Sequence, residues 1–361
     1  MKKLLIVLPS FAGGGAEKVG INYANELSNQ GNNVTVLVFN NFGPLSKDLH
    51  SNIKCKILNK KIKYGLFEFL KFINMLRPDV IIGTIREVNI IITLSKFLNY
   101  EKKLIFLEPN TLHGLNYRSF FYKSLIIGLM RIFYNYADYI IANSYDTKKD
   151  LIEVIKLKNN NIKVIGNPVY SKKVEELSLA SIQEEWFSDE YRVILGVGRL
   201  EIQKNFERMI EIFQKVNLKQ TNTRLIILGS GSLYSKLKKL IYQNDLDSKC
   251  KIINYVNNPY PYFKNANLFF LTSKWEGFGN VIIDSLACKT QVLALSCPGG
   301  PKDILKDGKY GAIVDNENDD LIVETVINLI NKKAYSDQLM KKRASEYSIE
   351  KIIQDATQLW R

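Results

Sequence analysis

Histidine is nearly absent from this chain, with two residues in 361, and cysteine is scarce, with four. Cys55, Cys250, Cys288 and Cys297 form no CxxC pair and have no histidine at metal-ligand spacing. Zinc-finger and dithiol-redox classes are thereby excluded, and reduced thiols are expected. Long apolar runs are missing too: no window reaches the about 18–20 residues that a membrane-spanning helix needs. The longest candidate, SFFYKSLIIGLMRIFYNYADYIIA, is broken by Lys123, Arg131 and Asp138. The opening MKKLLIVLPSFAGGGAEK has the lysines of a secretory leader, but its apolar run stops at Leu8 and no small-residue cleavage site follows. It reads as a buried first strand. Short repeats, low-complexity tracts and RNA- or DNA-binding signatures are also absent.

What is present describes a globular chain. Hydrophobic residues make up 46% and charged residues 24%, and the length suits two domains. Short apolar runs alternate with helix-length amphipathic segments, the pattern of parallel α/β sheets. Strands are expected near Leu4–Leu8, Val34–Phe39, Ile53–Leu58, Val80–Gly83, Leu104–Leu107, Tyr139–Ala142 and Ile162–Ile165. GNPVY (Gly166–Tyr170) and a polar stretch to Trp186 then read as a linker, so the first domain is taken as 1–167 and the second as 168–345. The second series runs through VILGVGRL, RLIILGSG, KCKIINYV, ANLFFLTS and TQVLALS. Two such sheets imply a cleft, with ligands at the carboxyl ends of strands.

The net charge of +14 is uneven, with 23 Lys and Arg against 12 Asp and Glu in residues 1–170. A basic half suits nucleic acid, an anionic membrane or a phosphorylated substrate. Arg118, Lys123 and Arg131 stand among aromatics, which favours a membrane-facing surface. Three segments carry candidate chemistry. In LPSFAGGGAEKV, Gly13, Gly14 and Gly15 let the backbone approach a ligand, and the N–H groups opening the next helix would face an anion. In GVGRLEIQKNF, Arg199 and Lys204 follow a strand and a glycine, a fork and a point charge suited to two linked phosphates. In SKWEGFGNVIIDSLA, a helix is expected from about Gly277–Gly279. Glu276 then precedes it and Asp284 lies about two turns, roughly 10 Å, further on. Acceptors that far apart suit the two ends of an elongated nucleotide sugar.

With GGPKDIL added, these segments together resemble a retaining glycosyltransferase of family 4, in the branch that builds bacterial surface glycans. The resemblance spans nearly the whole chain. It implies the GT-B fold of two Rossmann-like domains, and a final helix (346–361) that crosses back to the first. It implies transfer of a sugar from a nucleotide-sugar donor, UDP-linked, to a lipid-linked or growing glycan acceptor, without metal or other cofactor. The enzyme would then be cytoplasmic and peripheral on the inner face of the membrane.

Carried over by position, Gly14 and Gly15 touch the diphosphate and sugar, and Arg199 and Lys204 neutralise the diphosphate. Val256 meets the base, and Gly277, Phe278, Gly279 and Asn280 open the helix at the phosphates. Glu276 meets sugar hydroxyls and Asp284 the ribose, with Glu276, Arg199 and Lys204 as the catalytic set. The second acid is Asp where the family has Glu, and Pro109 stands where the family often has His. Glu108, Asn110 or His113 are then left to contact sugar or acceptor. DLD (Asp245–Asp247) resembles the metal motif of the other glycosyltransferase fold but lies in a polar turn. An epimerase-type reaction on the same fold and a catalytically silent nucleotide-sugar-binding partner stay open as alternatives.

Overall fold

The computed structural model describes residues 2–360. The chain divides into two compact units, Met1–Val169 with Ser348–Arg361, and Tyr170–Tyr347.

The first unit is a seven-stranded sheet made of β1 (Lys3–Ser10), β2 (Asn33–Asn40), β3 (Lys54–Ile57), β4 (Val80–Gly83), β5 (Lys103–Glu108), β6 (Tyr139–Ala142) and β7 (Ile162–Val164). Its order is β3-β2-β1-β4-β5-β6-β7, and every pairing is parallel. Helices α1 (Gly15–Asn29), α2 (Leu66–Leu76), α3 (Arg86–Thr93), α4 (Phe120–Phe133) and α5 (Tyr145–Glu153) cover it, together with the C-terminal helix. Strand β1 is apolar without alternation because both of its faces are buried. Its period of two sends Leu5 and Val7 to Phe69 and Ile73 of α2, Val88 and Ile92 of α3, and Ile126 and Met130 of α4. Leu4, Ile6 and Leu8 go to the other face, with Val19, Tyr23 and Leu27 of α1. That second core also takes Ile353, Ala356 and Trp360 from the C-terminal helix Ile349–Thr357 and the residues after it. The last helix thus packs in the first unit.

The second unit holds β8 (Arg192–Val197), β9 (Thr223–Leu228), β10 (Cys250–Ile253), β11 (Leu268–Leu271), β12 (Gln291–Leu295) and β13 (Ala312–Val314), in the order β10-β9-β8-β11-β12-β13 and all parallel. Its helices are α6 (Lys173–Leu177), α7 (Phe206–Lys219), α8 (Tyr234–Gln243), α9 (Tyr260–Asn265), α10 (Asn280–Ala287), α11 (Pro301–Leu305), α12 (Asp319–Asn331) and α13 (Asp337–Ser345). Strand β13, three residues long at the sheet edge, was not anticipated.

Helices α7 and α12 share one core and are clamped by charge. Asp319, the first residue of α12, accepts from Arg208 and Lys215 of α7. These cations hold its carboxyl down at about 2. A depressed carboxylate contributes stability above its unfolded value of about 3.9 and loses it as pH falls toward the folded value. At 30% side-chain exposure the gain is solvent-screened, about 1 kcal/mol or less. Asp319→Asn is therefore expected to flatten the fall of Tm with acid between about pH 4 and 2. A wild-type slope in that variant would remove the clamp as a source of acid sensitivity.

Candidate active site

In the second unit the strand order reverses between the neighbours β8 and β11. At such a switch point the connections leave to opposite sides, and the loops at the carboxyl ends border a crevice. Here those loops carry Gly198–Asn205 and Thr272–Gly279. They are tied together by hydrogen bonds to their backbone carbonyls. The Thr272 hydroxyl lies 3.1 Å from the carbonyls of both Lys204 and Asn205. Gln203 donates its side-chain amide to the Trp275 carbonyl at 3.0 Å, and Lys274 N–H donates to the Gln203 carbonyl at 2.8 Å. A third loop, after β12, joins when Glu276 N–H donates to the Pro298 carbonyl at 2.9 Å. The contact needs a glycine next to it. A Cβ at Gly299, where φ is +120°, would fall 2.2 Å from the Glu276 carbonyl oxygen.

This scaffold brings Lys204 Nζ to 2.5 Å from Glu276 Oε1, and the Ser273 hydroxyl donates to the same oxygen at 2.6 Å. The two charged side chains are 13% and 6% exposed. The sequence reading sent Lys204 to the phosphates and Glu276 to the far sugar. The structure joins them, because the strands that launch them are adjacent. An ammonium has three N–H donors, so a lysine that pairs with Glu276 still offers an anion its charge. Arg199 is exposed, with its guanidinium 3.5 Å from the Gln203 side-chain oxygen. The turn between is anchored by Glu201, whose carboxylate accepts from the Ser232 N–H at 2.9 Å and its hydroxyl at 2.8 Å.

Helix α10 starts later than expected. Gly279 takes φ +95° as its N-cap, so Gly277–Gly279 form a loop and Asn280 is the first helical residue. Asp284, partly buried, is then one turn into the helix and not two. Phe278 is buried edge-on against Tyr347. Val256 is half-buried in the loop between β10 and α9, and Asp245 sits at φ +55° in the turn after α8.

In the first unit the order reverses between β1 and β4. Gly14, following β1, is the N-cap of α1. A Cβ there would lie 2.3 Å from Glu17 Oε2, so a carboxylate already meets the helix dipole where the sequence reading placed a bound anion. From the loop after β4, Arg86 opens α3. Its Nη2 lies 2.7 Å from Glu108 Oε1 and 3.3 Å from the Asn110 carbonyl. Tyr134 donates its hydroxyl to Glu108 Oε2 at 2.6 Å, and Asn89 donates to Tyr134 Oη at 3.2 Å.

Glu108 is 1% exposed. Burial pushes its carboxyl up, against the pull of Arg86 and of the Tyr134 hydrogen bond. Burial and the facing carboxylate drive the Tyr134 phenol well above its usual range. Both Glu108 oxygens, expected to face sugar or acceptor, have partners within the first unit, Arg86 and Tyr134. Asn110 and His113 are exposed, and Pro109 uses its carbonyl to accept from Asn143 at 2.7 Å.

Residues 178–349 match the family Glycosyl transferases group 1, and residues 13–172 match Glycosyltransferase Family 4. The solved structure of Anabaena HepE in complex with UDP and glucose superposes with a TM-score of 0.82 at 18% identity, covering 99% of both chains. This chain is a family 4 glycosyltransferase of the GT-B fold.

Curated relatives agree. The amylovoran biosynthesis glycosyltransferase AmsD of Erwinia amylovora is 27% identical over 95% of this chain and 93% of its own. A Campylobacter jejuni enzyme is 26% identical over 82% of this chain and 80% of its own. It is named N-acetylgalactosamine-N,N'-diacetylbacillosaminyl-diphospho-undecaprenol 4-alpha-N-acetylgalactosaminyltransferase. In this glycosyltransferase Arg199, Lys204, Glu276 and the Gly277–Asn280 turn stand on loops at one switch point. Sequence reasoning missed the residues that hold them, Gln203, Thr272 and Ser273, and in the first unit Arg86 and Tyr134. Only Arg86 left a signal, a cation just after the β4 strand.

Proposed function

We propose that this glycosyltransferase moves a sugar from a UDP-sugar to a lipid-linked or growing glycan, with retention of anomeric configuration, in bacterial surface-glycan synthesis at the cytoplasmic face of the membrane. The observation that carries this is the Lys204–Glu276 pair at the β8/β11 switch point, backed by the turn that opens α10. Departure of the nucleoside diphosphate is the demanding step, and Lys204, Arg199 and the α10 N-terminus supply positive potential for the charge that develops. Those cations do the work a metal would do, so a chelator should leave the rate unchanged. Glu276 orients the sugar, Asp284 the ribose and Val256 the base. The acceptor hydroxyl attacks from the face the diphosphate leaves, its proton passing to the departing phosphate. The names of the relatives, one acting on a diphospho-undecaprenol-linked sugar and one in amylovoran synthesis, support the acceptor class.

The test is a panel of UDP-, GDP- and ADP-sugars with polyprenyl-diphosphate-linked acceptors. Nucleotide release is followed by chromatography and the anomer of the product by NMR. The expected result is turnover confined to UDP-sugars, insensitive to chelator, with donor configuration kept. Binding of UDP-sugars without turnover on any acceptor would replace this reading with a silent binding partner.

A further inference from the structure

Three cations stand in a row on α13, Lys341, Lys342 and Arg343. The first two are exposed, whereas Arg343 is turned inward with 4% of its side chain accessible. An arginine is rarely buried so fully unless its donors are engaged. Here the fork is directed at the end of α11. Nε donates to the Ile304 carbonyl at 2.7 Å and Nη2 to the Asp303 carbonyl at 2.6 Å. A helix of five residues cannot satisfy these carbonyls within itself. Nη2 also lies 2.7 Å from the Tyr347 hydroxyl, and Nη1 is paired with Glu346. The guanidinium carbon stands 4.8 Å from the centre of the Tyr347 ring and 5.0 Å from that of Tyr310. A planar group with five donors can meet carbonyls, a carboxylate and aromatic rings at once, which the single ammonium of a lysine cannot.

Both elements that Arg343 holds reach the turn that opens α10. Along one route, α11 has Gly300 as its N-cap, and the Gly300 N–H donates to the Gly277 carbonyl at 3.0 Å. The approach is so close that a Cβ on Gly300 would fall 2.4 Å from the Phe278 carbonyl oxygen. Along the other, the Tyr347 ring meets Phe278 edge-on with centres 5.2 Å apart, and Phe278 is 3% exposed. The turn is thus held by its backbone at Gly277 and by its side chain at Phe278, with Arg343 behind both contacts. Its other residues, Gly277 and Gly279, have no side chain with which to fix a conformation, so its shape is set from outside.

We propose that Arg343 is a positioning residue for the donor diphosphate: through α11 and Tyr347 it fixes the Gly277–Gly279 turn, and with it the N–H groups that open α10. The proposal rests on the reading above that this turn faces the diphosphate. Donors at a helix start stabilise a developing charge only when they are already aimed at it. A displacement of about 1 Å caused by a change far from the chemistry can cost about a hundredfold in rate.

The test compares UDP, which reaches the turn, with uridine, which has no phosphate. Calorimetry follows UDP and ligand-detected NMR follows uridine, in wild type, Arg343→Gln and Tyr347→Leu. Arg343→Gln is expected to weaken UDP about tenfold or more while uridine stays within about twofold of wild type. Tyr347→Leu removes the ring from Phe278 but leaves the Arg343 bonds to α11, so it should lose about threefold or more for UDP alone. It carries the test if circular dichroism shows that Arg343→Gln does not fold. UDP affinity within about twofold of wild type in the folded variants overturns the proposal and leaves the donor reading standing. So does an equal loss of UDP and uridine, which would make Arg343 a support of the whole second unit. A wild type that binds no UDP sinks the donor reading, and this inference with it.

Discussion

Lys204→Ala is expected to lower kcat/KM by about a hundredfold or more and to weaken the fold of the second unit as well. One charge-assisted bond to a diphosphate is worth about 1.5–3 kcal/mol, about ten- to a hundredfold in rate. The structure adds a second cost, because Glu276, 4% exposed, would lose its cation. Stripping one partner from a buried pair costs about 3–5 kcal/mol. Two further variants separate these effects. Lys204→Ala with Glu276→Ala should recover stability relative to Lys204→Ala alone, a coupling that denaturant unfolding measures. Glu276→Gln keeps the shape but removes the charge facing Lys204, so it should bind free UDP at least as well as wild type while kcat falls. Asp284→Asn should weaken UDP and UDP-sugar alike. Calorimetric titration of UDP into both decides: if Glu276→Gln loses UDP affinity while Asp284→Asn keeps it, the two acids hold the opposite ends of the donor.

Arg86→Met should be the most damaging single change in the first unit, by about 3–5 kcal/mol at neutral pH. It leaves the Glu108 carboxylate buried with the hydrogen bond from Tyr134, whose hydroxyl accepts from Asn89, but no cation. The sign of the pH dependence follows. Without Arg86, burial is opposed only by the Tyr134 hydrogen bond, and the folded value of the Glu108 carboxyl rises further above the unfolded one. Stability is then greatest at low pH, where the carboxyl is protonated in both states, and falls as pH rises through the folded value. Arg86→Met should thus regain stability on acidification toward the unfolded carboxylate value of about 4.3, at pH values where an unperturbed carboxylate changes little. Arg86→Met with Glu108→Gln, which removes the charge, should recover most of the loss. If urea unfolding shows the single variant as stable as wild type across that range, Glu108 is solvated and the network is not structural.

All seven strands of the first unit were legible; the central ones, such as β1, β4 and β5, are short buried runs of Val, Ile, Leu and Phe, whereas the edge strands β3 and β7 were read from the repeat of strand and helix around them. Five of six were legible in the second. Strand β13 escaped: Ala312–Val314 is three residues, two of them only partly buried, beside a polar turn. The start of α10 was misjudged by one to three residues, since glycine in Gly277–Gly279 is compatible with a helical turn and with the loop that Gly279 at φ +95° makes.

The site was half legible. Arg199, Lys204, Glu276 and the glycines after β1 and β12 each stand at the end of an apolar run, where one-dimensional reasoning can find them. Which of them touch was not. Lys204 and Glu276 are 72 residues apart, and their meeting follows from the order β8-β11, which depends on all the crossovers between them. Glu108 shows the converse. As an acid at the end of β5 it looks like a ligand contact, yet Arg86 and Tyr134, 22 and 26 residues away, turn it inward.

The sequence by itself determined the alternation of strand and helix, the two-unit plan and the family, because these rest on local periodicity and on motifs read in order. Only the tertiary structure decided the partner of each charge and which apolar side chains stay exposed. Burial and ion pairing depend on the packing of segments distant in the chain, and no window of sequence contains both sides of such a contact. Helix α4 makes the point: Phe121 and Met130 are alike on paper, and only the sheet beneath tells the buried one from the exposed.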